Sequence, residues 1–214
     1  MTPIDCPHAI VGGGWAGVYS AWRLAIDSAL VTPSDVCLFE ARTAVGGRTY
    51  SVGVDGMTLD IGAYRFGFGM HLPADLIMHK LKLNVTCYEP SCAPDAEFNE
   101  TLYRIVDADG RNAGYATAMR LMTSQLDAAG ARIFYSHELT GIYDAASTQG
   151  DVQTVTGEPI ASLLHFAGGE VARSSSIMLN LPRGSIERLD PASVLFANRP
   201  NTQILTNCTV RQTG

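Results

Sequence analysis

Six residues, Gly12-Gly13-Gly14-Trp15-Ala16-Gly17, constrain this chain more than any others. They follow a short apolar run, Ala9-Ile10-Val11, and precede an apolar-periodic stretch (Val18, Ala21, Trp22, Leu24, Ala25) that reaches about Ala29. A turn at Thr32 to Asp35 leads into a second apolar run, Val36-Cys37-Leu38-Phe39, closed by Glu40. Strand, glycine turn, helix and strand within roughly 30 residues is the right-handed βαβ unit of a parallel sheet. In that frame Gly12 permits the tight turn, Gly14 lets backbone approach a pyrophosphate, and Gly17 allows close helix–strand packing. The helix start at Trp15 and Ala16 offers free N–H groups and the positive end of a dipole. Glu40, 23 residues after Gly17, stands where a carboxylate accepts hydrogen bonds from ribose hydroxyls. An acidic residue there disfavours a 2′-phosphate, and with it NADP.

The rest of the chain alternates strands and helices. A hairpin is expected around Asp55-Gly56, followed by Leu59-Asp60-Ile61-Gly62 and Ala63-Tyr64-Arg65. Leu72 to Leu83 has helical spacing, and Tyr88 to Asn99 reads as irregular. Tyr103 to Val106 is strand-like and Asp109-Gly110 is a turn. Tyr115 to Ala128 is a helix closed by Gly130, and Ala131 to Tyr135 and Leu139 to Tyr143 are extended. Leu163 to Phe166 and Glu170 to Ala172 flank a Gly168-Gly169 turn, and Ser176 to Leu181 is a buried strand ending at Pro182. The stretch from Ile204 to Val210 is short and polar. The fold class expected is α/β, a Rossmann-like dinucleotide-binding domain with a small or truncated second lobe.

Glu40-Ala41-Arg42-Thr43-Ala44-Val45-Gly46-Gly47-Arg48 resembles the second glycine motif of the flavin amine oxidase superfamily, which contains monoamine, polyamine and L-amino-acid oxidases. The resemblance implies FAD as cofactor. Gly46, Gly47 and Arg48 would then bring backbone and a guanidinium to the phosphates or the ribityl–flavin junction. Leu59-Asp60-Ile61-Gly62-Ala63-Tyr64-Arg65-Phe66 is similar to the segment that passes beside the flavin ring in L-amino-acid oxidases. There an Arg at the Arg65 position pairs with the substrate carboxylate, a contact that selects amino acids over simple amines. The alternative for Arg65 is a structural ion pair near Asp60. By the same resemblance Gly114-Tyr115 to Ile142 returns to the adenine side, and Leu139 would touch the cofactor through its backbone. The likeness is specific over residues 9–66 and loose beyond them.

What it implies for the whole is oxidative deamination of an L-amino acid, or a related amine, to an oxo acid, ammonia and H2O2, with O2 as oxidant. Members of the superfamily are longer, with a helical substrate-domain insertion where this chain has only Tyr88 to Asp107. The implied division is a first FAD-binding part at 1–87, a reduced insertion at 88–111, a second FAD-binding part at 112–190, and entry to a further domain at 191–214. Activity would thus need a second chain or additional C-terminal sequence. The competing expectation is an FAD-fold protein, catalytically inactive, that serves as a structural subunit of a larger assembly.

Composition narrows the partners. A net charge of −6, with no block of Lys or Arg, argues against nucleic acid. The most apolar window, Ala9 to Ala25, carries four glycines and Arg23, so no transmembrane segment is expected. Strand-forming residues begin within ten positions of Met1, so a targeting segment is expected to have been removed or never present, and the compartment is left open. The five cysteines (Cys6, Cys37, Cys87, Cys92, Cys208) read as buried free thiols, with a Cys87–Cys92 loop disulfide as the alternative. Asn84, Asn99 and Asn207 head Asn-x-Ser/Thr sequons, and the five histidines show no metal-ligand spacing, so no metal is expected. His71, shortly after Arg65, is a further candidate to face the flavin.

Overall fold

The computed structural model describes residues 2–67, 69–88, 92, 101–145 and 162–197. Its centre is a four-stranded parallel sheet built from β2 (His8–Val11), β3 (Val36–Phe39), β9 (Arg132–Phe134) and β13 (Ser176–Leu179), in the order β13-β2-β3-β9. Both faces of its two central strands, β2 and β3, are covered, which is why they read as continuous apolar runs. The pleat then divides them. Ile10, Val36 and Leu38 join a core with the helix α1 (Trp15–Trp22) and the helix α3 (Ala116–Ala128). Ala9, Val11, Cys37 and Phe39 face the opposite way, into a second core.

The first core is filled by the buried stripes of the two helices, Val18, Ala21 and Trp22 from α1 with Ala118, Met119, Met122 and Leu126 from α3. The indole N–H of Trp22 donates to Gln125 across the pair (2.6 Å). Beyond Trp22 the helix widens by one residue per turn as far as Asp27, where the Ser28 amide donates to the Arg23 carbonyl. Asp27 there meets Arg23 and Lys80 (2.7 Å to the latter), and the hydrogen bond from the Lys80 ammonium holds its carboxyl below the usual carboxylate range.

The second core lies against an antiparallel layer, β10 (Leu139–Asp144), β11 (Ser162–Phe166) and β12 (Val171–Ser174), to which β1 (Ile4–Asp5) adds in parallel. Phe39 stacks on Phe134 and Phe166 with ring centroids 4.9 and 4.7 Å apart. Here one expectation is corrected. Cys6 and Cys37 are not free thiols but a disulfide, and Cys87 and Cys92 form a second. Cys6 leaves the end of β1 directly beneath β3, bringing the two Cα atoms to 6.0 Å, a separation a disulfide spans. Sequence separation hides the pairing because the sheet creates it.

A second region packs against this body, with Phe66, Leu76, Ile77 and Ile105 entering the first core. β4 (Thr49–Val54) and β5 (Met57–Gly62) form the expected hairpin, turning at Asp55 (φ 48°) and Gly56 (φ 77°), the double positive φ of a tight hairpin turn. β6 (Phe66–Gly67), β8 (Leu102–Ile105) and β7 (Val85–Cys87) make a three-stranded antiparallel sheet in that order. Between β6 and β7 runs α2 (His71–Ala74), whose wider continuation reaches Lys80, so the helix expected from Leu72 starts one residue earlier. α4 (Arg183–Ile186) and α5 (Val194–Ala197) are single turns. The stretch from Ile204 to Val210 lies outside the described residues.

The hairpin is built inside out. Its inner face is polar: the Asp60 carboxylate accepts hydrogen bonds from the Ser51 hydroxyl, the Tyr115 amide (2.8 Å) and Asn112 Nδ2 (3.3 Å). Ser51 Oγ in turn accepts from the Ala116 amide (3.1 Å), so this cluster occupies the open start of α3. On the outer face the cross-strand pairs Tyr50–Ile61, Val52–Leu59 and Val54–Met57 line up as one apolar surface. Met57 and Ile61 are 62% and 60% exposed.

Candidate functional site: a dinucleotide cradle of three glycine segments

The site grows from the carboxyl ends of the parallel strands. At the end of β2 the chain turns through Gly12 (φ 102°), whose amide donates to the Phe39 carbonyl (2.8 Å). A Cβ on Gly17 would stand 1.8 Å from the Gly12 carbonyl oxygen, so only glycine lets α1 start this close to the strand. Gly14 begins α1 with no side-chain cap. The first amides of the helix therefore have no intrahelical acceptor, and the space a Gly14 Cβ would enter is open. That is the cradle an anionic pyrophosphate needs.

Glu40 closes β3 and is buried. One carboxylate oxygen accepts from the Gly13 amide (2.7 Å) and the other from the Arg42 amide (2.8 Å). The carboxylate thereby ties the glycine turn to the next loop and keeps spare lone pairs for hydroxyl donors. Ala41 and Arg42 are exposed on that loop, with the Arg42 carbonyl receiving the Ser136 amide and the Glu40 carbonyl the His137 amide (both 2.9 Å). This places the approach to Leu139 alongside Glu40. Leu139 itself is buried in the second core, and its side chain packs there.

The second glycine segment sits on the first. The Gly46 amide donates to the Gly13 carbonyl (2.9 Å), and a Cβ on Gly47 would come to 3.4 Å from the Gly14 Cα. The third sits on the second: the Ala63 amide donates to the Arg48 carbonyl (3.3 Å), and a Gly62 Cβ would lie 2.0 Å from that oxygen. Segments around residues 12–17, 46–48 and 62–65, far apart in sequence, thus form one continuous track. Arg48 and Arg65 are both exposed along it.

Arg65 makes no ion pair with Asp60, whose oxygens are taken by Ser51, Asn112 and Tyr115. Its guanidinium lies instead over the rings of Tyr64 (4.9 Å) and Tyr88 (5.7 Å), which meet edge to face. His71 begins α2 in an exposed position, with nothing that joins it to this track. Among the described residues no group of His, Cys, Asp or Glu is arranged to hold a metal.

Two residues of the site escape sequence reading. Asn180 follows β13, and its backbone oxygen would be 2.5 Å from a Cβ on Gly12. Its buried side-chain Nδ2 has no hydrogen-bond partner, an orphaned donor beside the pyrophosphate cradle. Tyr115 stacks on Trp15 at the head of α1 (5.0 Å between centroids), and burial pushes its phenol up to about 12. An isolated Asn at the end of a strand has no sequence signature; the Trp15–Tyr115 stack needs the fold.

Residues 10–75 match the family described as an NAD(P)-binding Rossmann-like domain. No curated protein matches the sequence. Among solved structures, putrescine oxidase in a triple-mutant form aligns over 96% of this chain with a TM-score of 0.66 at 14% identity. The wild-type enzyme bound to putrescine aligns with a TM-score of 0.63 over the same share, also at 14% identity. An oxidoreductase from Methanosarcina mazei aligns over 95% of the chain with a TM-score of 0.61 at 11% identity. At such identities the likeness shows the fold: a Rossmann-like domain with a mixed second layer. The chain spans 64% of the length of the putrescine oxidase structures. Among the described residues no helix is long and apolar enough to cross a membrane.

Proposed function

We propose that this chain is the dinucleotide-binding part of an FAD-dependent oxidoreductase that oxidatively deaminates an L-amino acid or a related amine. The observation that carries the reading is the continuous track of three glycine segments from Glu40 to Arg65. A Rossmann turn alone serves many cofactors. The added Gly46–Arg48 and Gly62–Arg65 segments extend the track well beyond a mononucleotide, toward a cofactor with a second large ring system.

The chain's residues fit that group. Glu40 would receive the adenosine ribose hydroxyls, and the Trp15, Ala16 and Gly17 amides with open Gly14 would receive the pyrophosphate. Asn180 Nδ2 supplies a donor that otherwise has no acceptor. Gly46, Gly47 and Arg48 would carry the middle of the molecule, and Gly62, Ala63 and Tyr64 its far end. FAD, when bound, supplies the two-electron oxidation of the amine carbon and the transfer of those electrons to O2. Arg65 would orient the substrate by pairing with its carboxylate, its plane fixed by Tyr64 and Tyr88.

Purified chain with FAD, mixed anaerobically with L-amino acids and separately with putrescine, tests this through bleaching of the flavin absorption. Bleaching by amino acids that drops about tenfold or more in Arg65→Ala is expected from loss of one charge-assisted pair. Equal bleaching by putrescine would reassign the substrate to simple amines. A chain that takes up no FAD would favour the second reading, a structural subunit. That reading is supported by the apolar outer face of the β4–β5 hairpin, a surface of the kind that partner chains cover.

A further inference from the structure

Beside Tyr64 lies a cleft of about 530 Å³, bounded by Gly56–Asp60 of the hairpin, Tyr88, Arg104 of β8, and the Asp107–Asn112 turn. Its size lies within the range of small-molecule sites. Its chemistry is divided. Tyr64, Tyr88, Met57 and Leu59 provide aromatic and apolar wall, while Arg104, Arg111, Asp60 and Asp107 provide charge.

The formal charges cancel, but their commitments do not. Asp60 accepts from Ser51, Asn112 and the Tyr115 amide. Asp107 Oδ1 accepts from the Asp109 and Arg111 amides (both 2.9 Å), stabilising the turn. Both carboxylates are thus held by donors of the fold. Arg111 stands at the exposed rim, paired to Asp109 at 3.1 Å. Arg104 differs from all of these. It is half-buried on β8, its Nε is shut off from solvent without a hydrogen-bond partner, and it forms no ion pair among the described residues. Arg104 is thus a half-buried cation on the cleft wall with no counter-charge among the described residues, and an anion in the cleft would supply one.

We propose that this cleft binds a small carboxylate carrying an aromatic or apolar group, its carboxylate on Arg104 and its ring against Tyr64 and Tyr88. The planar fork of arginine suits a carboxylate, and Arg111 at the rim adds a second, screened attraction. The cleft borders the far end of the glycine track, sharing Tyr64 with it and both rings with the Arg65 contact, but binding there does not rest on the proposed oxidase activity. It needs no FAD.

The probe is 4-fluorophenylacetate, followed by its 19F line width on titration with the full chain, with 4-fluorophenylacetamide as the uncharged isostere. The acid is expected to bind at least about tenfold more tightly than the amide, the scale of one charge-assisted bond. Arg104→Met should lose about that factor, Arg104→Lys should retain part of it, and Arg111→Ala should lose only about twofold. Acid and amide binding alike, neither binding at millimolar concentration, or unchanged affinity in Arg104→Met would each overturn the proposal. Should Arg104→Met fail to fold, Arg104→Lys decides: an acid–amide ratio unchanged from that of the unaltered chain overturns the proposal.

Discussion

The parallel-sheet body and the β4–β5 hairpin follow the same alternation of apolar and polar residues and put it to opposite use. In the body the apolar sets of the two central strands are enclosed: Ile10, Val36 and Leu38 by the two helices, Ala9, Val11 and Phe39 by the antiparallel layer. In the hairpin Tyr50, Val52, Val54, Met57, Leu59 and Ile61 share the outer face, and Ser51 and Asp60 turn inward to serve α3. The body is therefore held by burial, and the hairpin by hydrogen bonds and by its contacts with the glycine track. Period-two alternation announces a two-faced strand without saying which face the molecule keeps.

That contrast can be attacked at several points. The largest effect belongs to Gly17→Val, because even the first added carbon collides with the Gly12 carbonyl. A loss of about 4 kcal/mol or more, or failure to fold, is expected in urea unfolding. Gly56→Ala, in open space at positive φ on the hairpin turn, should cost only about 1 kcal/mol. Comparable losses at the two sites would mean that the body is no more tightly built than the hairpin.

Next in size is Asp60→Ala, which strands the Tyr115 amide, takes one partner each from Asn112 and Ser51, and should cost about 2–3 kcal/mol. Leu59→Thr, on the outer face of the same strand, should stay within about 0.5 kcal/mol. A large loss from Leu59→Thr in the isolated chain would show that the outer face is covered after all.

The smallest effect lies at the junction. Tyr115 joins the two regions, its amide on Asp60 and its ring on Trp15. Burial raises its phenol from 10 to about 12, so the folded state favours the neutral form. The associated stability is complete below pH 10 and is lost as pH climbs toward 12, amounting to about 1 kcal/mol at pH 11. The difference between the unaltered chain and Tyr115→Phe, followed by unfolding from pH 9 to 11.5, should shrink by about 2 kcal/mol in all. An ordinary titration of all phenols near 10 would place Tyr115 in water and loosen the junction.

Much of the body was legible because its signals are local. The Gly12–Gly17 turn, the strand on either side and Glu40 at its fixed distance are all read within 40 residues. The Asp55-Gly56 turn carries its own conformational signature, and the helix ending at Ala128 declares itself through Gly130. What stayed hidden depends on residues meeting across the fold. Cys6 and Cys37 are 31 residues apart and become neighbours only through the sheet. The short strands Ile4–Asp5, Phe66–Gly67 and Val85–Cys87 lack the length to show a period. Asn180 gains its place from the strand beside it. Asn84 is exposed at the start of β7, whereas the sequons at Asn99 and Asn207 lie outside the described residues.

The track of three glycine segments has a consequence for how the chain is made. No single stretch of sequence carries the cradle, so it comes into being only when residues 12–17, 46–48 and 62–65 have all docked. Whatever occupies it binds the finished fold and not its parts, and by mass action a ligand at a hundred times its dissociation constant adds about 2.7 kcal/mol to stability.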